Sequence, residues 1–155
     1  MKMVGTALKI CAENYDGDTM LHASRVAGYV LNNPMVRDNL IEMCLIVALC
    51  HDLIEDTDYT LEDMKRDFKP HDDNFLWHGK EPSTVVTEAV EILTKDKKEK
   101  YDDYISRVKE KSSHSLAGEV AYWVKIADIK DHLSQKETLG ERRKEKYLSG
   151  LAILL

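Results

Sequence analysis

Residues 40–57 read Leu40-Ile41-Glu42-Met43-Cys44-Leu45-Ile46-Val47-Ala48-Leu49-Cys50-His51-Asp52-Leu53-Ile54-Glu55-Asp56-Thr57. Val36, Leu40, Met43, Cys44, Val47 and Ala48 recur at helical spacing and predict a helix over about 35–52. Its last turns, Leu45–Cys50, are apolar nearly all round, so this helix belongs at the centre of a domain. Four ionisable side chains then follow within six residues, at the mouth of that buried helix.

The same periodicity extends outward. Val4, Ala7, Leu8, Cys11 and Ala12 predict a helix over 3–15, broken by Asp16-Gly17-Asp18. Thr19 is the expected N-cap of a second helix carrying Leu21, His22, Val26, Ala27 and Val30, which Asn32-Asn33-Pro34 stops. Thr60-Leu61-Glu62-Asp63 reads as a cap before a short helix ending near Phe68. Residues 69–82 form the longest loop, an insertion or a lid. Ser83 or Thr84 is expected to cap a helix through Leu93. Further helices carry Tyr101, Tyr104, Ile105 and Val108, then Leu116 to about Leu133 with Val120, Trp123, Val124 and Ala127 inward, then 140–154.

No segment reads as a convincing strand, and seven glycines and three prolines in 155 residues disfavour a turn-rich β-sandwich. The expected fold is all-α, a single compact multi-helix bundle spanning 1–155. A net charge of -6 argues against the basic stripe of a nucleic-acid binder but leaves room for a local basic pocket. Basic residues cluster at Lys95–Lys100 and Arg142–Lys146. Three cysteines without a C-x-x-C motif fit reduced thiols in a cytosolic protein, with Cys44 and Cys50 buried and structural. No apolar run approaches the roughly 18 residues of a membrane span, and no signal peptide is evident. The reading is cytoplasmic, with no membrane and no nucleic-acid partner; the oligomeric state is open.

Ionisable groups at the end of a core helix are costly to bury unless they pair or bind a metal. His51 offers a neutral nitrogen and Asp52 an anionic oxygen, a mixture that Zn, Mn and Fe accept. Neighbours on one helix face different ways, so further ligands must come from elsewhere. His22 lies on the preceding helix, and Asp128 sits in the otherwise apolar turn Trp123-Val124-Lys125-Ile126-Ala127-Asp128. Singly, each has an ordinary explanation: a histidine on a helix face is commonly structural, and Asp128 could pair with Lys125 or Lys130. Together, His22, His51, Asp52 and Asp128 make a metal-ligand set of two nitrogens and two carboxylates that leaves room for water and a substrate oxygen. Glu55 and Asp56 read either as a solvated acidic turn or as a general acid/base pair; the latter is preferred, because Glu55 stands four residues beyond His51.

These residues resemble the HD-domain metal phosphohydrolase superfamily, and most of all the small alarmone hydrolases, stand-alone relatives of the RelA/SpoT hydrolase domain. The resemblance rests on His22 with Val26-Ala27, His51-Asp52, Glu55-Asp56-Thr57, Leu93-Thr94-Lys95 and Val124-Lys125-Ile126-Ala127-Asp128, and covers most of the chain. It implies an all-helical hydrolase that removes pyrophosphate from the 3′ position of guanosine tetra- or pentaphosphate (ppGpp-type nucleotides), commonly with manganese (Mn2+). It implies ligand roles for His22, His51, Asp52 and Asp128, and water and proton handling by Glu55 and Asp56. It gives substrate contacts to Lys97, Arg143 and Tyr147; a solvated helix face explains the last two about as well. Lys125 reads equally as a phosphate contact and as a helix-surface residue.

Two departures fall on substrate recognition. The stretch Tyr15-Asp16-Gly17-Asp18-Thr19-Met20-Leu21 lacks the family's basic pair and Gly-x-Pro-Tyr pattern, and His132 stands where the family often has asparagine. The altered stretch is compatible with a nucleotidase acting on deoxynucleoside monophosphates. A third reading is a non-catalytic nucleotide-binding module, which the retention of every candidate ligand disfavours. His71, His78 and His114 are assigned no role.

Overall fold

The computed structural model describes residues 2–70 and 75–155, so His71 and the centre of the predicted 69–82 loop lie outside the described residues. The chain forms α1 (Lys2–Asn14), α2 (Gly17–Leu31), a 3₁₀ turn (Asp38–Leu40), α3 (Ile41–Cys50), α4 (Leu53–Asp56), α5 (Leu61–Asp67), α6 (Pro82–Leu93), α7 (Tyr101–Lys111), α8 (Leu116–Ser134) and α9 (Glu141–Leu154). There is no strand among the described residues, and the bundle is all-α.

Every residue from Met43 to Cys50 is buried, because α1, α2, α6 and α8 surround α3. Each fully buried Leu, Ile or Val contributes about 1.5–3 kcal/mol relative to exposure. This large core contains the three cysteines, all buried free thiols. A second, smaller core of Tyr104, Ile105, Val108, Ile126, Ile129, Tyr147 and Leu154 joins α7, α8 and α9. α8 belongs to both: Val124 and Ala127 face the first core, Ile126 and Ile129 the second. Asp128 therefore lies on the seam, and a polar site can form there without interrupting either apolar cluster. Trp123 is half-buried and touches both clusters instead of pointing fully inward.

Several expected boundaries shift for local reasons. Asp16, not Thr19, caps α2: its carboxylate accepts from the Thr19 N–H at 2.7 Å, so the helix starts earlier. Leu21, at 60% exposure, lies on the solvent face. The central helix starts at Ile41, not near Met35, because the Asn33 side chain accepts from the Met35 N–H at 3.0 Å in a turn and a 3₁₀ turn follows. Glu81, not Ser83 or Thr84, precedes α6, whose first position is Pro82, a residue with no N–H to satisfy. Thr60 and Asp63 form the expected capping box of α5.

Gly118, in the first turn of α8, meets the end of α7 so closely that a Cβ there would lie 1.9 Å from the Lys111 carbonyl oxygen. Trp77 and Lys80 exchange backbone hydrogen bonds (2.7 and 3.0 Å) across a tight turn with positive φ at His78 and Gly79. Phe75, Trp77 and Pro82 line an apolar cavity beside Met43 and Ile46, at the end of α3 away from His51. These residues of the 69–82 loop therefore do not cover His51.

Candidate metal centre

Four elements converge at the C-terminal end of α3. His51 continues the helical backbone (φ −60°, ψ −29°), but Asp52 bends to φ −97°, ψ 0° before α4 begins. The bend brings two adjacent side chains to one point, with His51 Nε2 3.2 Å from Asp52 Oδ2. An unbroken helix would have splayed them apart. α2 supplies His22, whose Nε2 stands 3.1 Å from Asp128 Oδ1 and 3.6 Å from Asp52 Oδ2. α8 supplies Asp128, whose Oδ1 is also 3.6 Å from His51 Nε2. The structure thus brings His22, His51, Asp52 and Asp128 together.

Both central imidazoles are oriented from behind. His51 Nδ1 lies 2.7 Å from the Ala48 carbonyl oxygen, which can only accept, so this nitrogen carries the proton. His22 Nδ1 lies 2.7 Å from Asp131 Oδ2, and Arg25 donates to both oxygens of Asp131 at 2.7 and 3.1 Å. Each Nε2 therefore points into the site. His51 Nε2 is buried and has no hydrogen-bond partner among the described residues; its neighbouring carboxylate oxygens lack hydrogen-bond geometry. An orphaned nitrogen facing carboxylate oxygens fits a cation better than a dry core.

The electrostatics follow from the same contacts. Burial pushes His51 down, but the charge of Asp52 and the contact with Asp128 outweigh it and hold the imidazole well above its usual range. For His22 burial is likewise opposed, by Asp128 and then Asp131, and the net shift is upward. Burial would raise Asp128, yet the Lys125 ammonium beside it holds it well below the carboxylate range. Lys125 Nζ donates to Asp128 Oδ2 at 2.7 Å, which leaves Oδ1 for the histidines.

A cavity of about 180 Å³ opens beside these groups. Its walls include His51, Asp52, Asp128 and His132, then Lys95, Lys125 and Lys146, and then Tyr101, Tyr104 and Tyr147; the Lys95 ammonium itself donates to the Asp96 and Glu99 carbonyl oxygens at 2.9 and 2.8 Å. Glu55 also lines it, and Glu55 Oε1 accepts from the Lys95 N–H at 2.6 Å. Partial burial raises the Glu55 carboxyl above its ordinary value despite that bond, and Asp52 adds to the rise. Asp56 is exposed on the adjoining position and is not part of the lining.

Other expected contacts fall elsewhere. Lys97 is exposed and outside the lining; Lys95, two residues earlier, is part of it, with its backbone N–H on Glu55 and its ammonium on the Asp96 and Glu99 carbonyls. The Glu99 N–H closes a turn on the Asp96 carbonyl at 3.1 Å, which spacing alone does not reveal. Arg143 lines a wider neighbouring cavity of about 790 Å³ that shares Tyr101 and Lys146 with the inner one. Its Nη2 stands 3.4 Å from the Tyr147 hydroxyl. Tyr147 is buried, with its ring stacked on His132 at 4.5 Å.

Sequence reasoning missed Asp131, Arg25, Lys95 and Lys146, and read Tyr101 and Tyr104 only as a helix stripe. A usable signal existed for two of them: Arg25 follows His22 by three, and Asp131 follows Asp128 by three, so each pair shares a helix face. Compared with known proteins, the chain matches no family model, and no curated protein matches it.

Proposed function

We propose that this chain is a divalent-cation-dependent phosphohydrolase acting on a small phosphorylated molecule, with His22, His51, Asp52 and Asp128 holding the cation. The observation that carries this reading is the meeting of four donors from three segments of the chain, with both imidazoles pinned at Nδ1 so that Nε2 faces the carboxylates. A bound divalent cation supplies Lewis acidity at a phosphoryl oxygen and makes water a stronger acid.

The chain's own groups divide the remaining work. Lys125 and Lys146 neutralise phosphate charge in the inner cavity. Glu55, with its raised pKa, orients water and carries a proton. Asp56, on the solvent side, exchanges that proton with bulk water. The tyrosine wall offers flat apolar surface to a ribose or base, and the outer cavity with Arg143 offers charge to further phosphates. An inner cavity beside the cation ligands, opening to a wider one lined by Lys100, Arg142, Arg143 and Lys146 together with Asp102, Asp103 and Glu145, suits a nucleotide.

The resemblance to alarmone hydrolases makes 3′-pyrophosphohydrolysis of a guanosine bis(diphosphate) the first substrate to test, with Mn2+. The departures in residues 15–21 keep the nucleotidase as the alternative. The Tyr15 hydroxyl donates to the Leu49 carbonyl oxygen at 2.8 Å, so this residue braces α3 and is not free to hold guanine. A nucleotide panel assayed with added Mn2+ separates the two: pyrophosphate is the product from an alarmone, inorganic phosphate from a monophosphate. In the same assay Asp52→Ala is expected to lose both cation and activity, and Glu55→Ala to keep the cation and lose turnover. Full activity in both variants would contradict the proposal.

A further inference from the structure

His132 completes a second ligand triad with His22 and Asp128, overlapping the triad of His22, His51 and Asp52. Its Nε2 stands 3.1 Å from Asp128 Oδ1, the oxygen that His22 also approaches at 3.1 Å. The ring is held on both sides: Tyr147 stacks on it at 4.5 Å with an interplanar angle of 3°, and the His22 ring lies 4.8 Å away. Such an imidazole cannot swing away without leaving Tyr147.

The spacing decides between a neighbour and a ligand. Donors about 2.1 Å from one cation and at right angles to each other stand about 3 Å apart. The donor atoms here are separated by 3.1, 3.1, 3.2, 3.6 and 3.6 Å. At that spacing a cation bound to Asp128 Oδ1 is within reach of both His22 Nε2 and His132 Nε2. We propose that His132 is a fifth donor to the same cation, so that the centre consists of three imidazoles and two carboxylates and prefers Co2+, Fe2+ or Zn2+ to Mn2+. The physical reason is that imidazole nitrogen favours the later, borderline ions, while carboxylate and water suit Mn2+ nearly as well. This inference rests on the cation-dependent reading above and replaces a substrate contact by a ligand.

The test is titration of the metal-free full chain with Co2+, followed by its visible absorption, and with Mn2+, followed by electron paramagnetic resonance. Wild type, His132→Asn, His132→Gln and His51→Ala are compared. Wild type is expected to take one Co2+ per chain. Both His132 variants are expected to change the visible spectrum and to weaken Co2+ binding on the order of 100-fold, with a much smaller effect on Mn2+. His132 is partly exposed, so both variants are expected to fold, which circular dichroism checks. A wild-type spectrum and affinity in either folded His132 variant, with binding lost in His51→Ala, overturns the His132 assignment alone. Two Co2+ per chain in wild type also overturns it. Wild type that binds neither ion overturns the cation-dependent reading itself.

Discussion

Asp131 holds His22: its Oδ2 lies 2.7 Å from His22 Nδ1, and Arg25 closes on the same carboxylate from the other side. The carboxylate is buried, at 1% side-chain exposure, so solvent does not compete for it. An acceptor behind a ligating imidazole fixes the tautomer and ring orientation. Asp131→Asn is therefore expected to weaken Mn2+ or Co2+ binding about 10–100-fold while leaving helix content unchanged. Isothermal titration calorimetry measures it, and wild-type affinity in the variant would remove Asp131 from the site's support.

The same logic makes Asp128 a stability determinant before any cation arrives. Lys125 is buried against it, and removing one member of a buried pair costs about 3–5 kcal/mol. Asp128→Ala is expected to be destabilised by that order in urea unfolding of the metal-free protein. Asp128→Ala with Lys125→Met is expected to recover most of the loss, since no unpaired ammonium then remains. Equal stability of the single and double variants would show that the ion pair is not the cause.

A cation that binds only the folded chain must stabilise it by mass action. At 100 times Kd the gain is about 2.7 kcal/mol, or about 5–10 °C in Tm for a chain of this size. Thermal scans with added Mn2+ or Co2+ are expected to show that rise and EDTA to reverse it. His51→Ala is expected to show none.

Arg107 braces the end of α6. Its guanidinium donates to the Ile92 carbonyl at 2.9 Å, the Thr94 carbonyl at 3.3 Å and both oxygens of Glu99. Arg107→Ala is expected to cost about 2 kcal/mol by chemical denaturation. The Arg107 hydrogen bond holds the Glu99 carboxyl below its usual range, so folding favours the ionised form. That contribution is present above the unfolded pKa and disappears as pH falls through the folded value. The gap between wild type and variant is expected to narrow below about pH 4. A gap independent of pH would assign the whole effect to the carbonyl contacts.

Much of this architecture was legible in the chain itself. The run Met43–Cys50 has no polar face, so it had to be central, and it is buried throughout. The helices around it follow apolar spacing, and their ends were harder to read. Asp16 and Thr19 are both good caps, and so are Ser83 and Thr84, so composition alone could not choose where a helix starts.

The site was legible as a list of residue types and illegible as a shape. Sequence singled out His22, His51, Asp52 and Asp128 because imidazoles and carboxylates beside apolar runs need partners. It could not show the bend at Asp52, which depends on how the chain leaves α3. Lys97 and Lys95 look alike on paper, and only the path of the turn before α7 decides that Lys95 lines the cavity and Lys97 does not.

What the sequence by itself determined is the set of helices, the buried identity of α3 and the chemistry available at its end, because those follow from local periodicity and side-chain type. What only the tertiary structure decided is which donors share a point in space, which oxygen of Asp128 remains open, and that His132 and Asp131 belong beside His22. Those relations are set by the packing of α2 and α8 against α3, and an interhelical distance is not written in the spacing of any one helix.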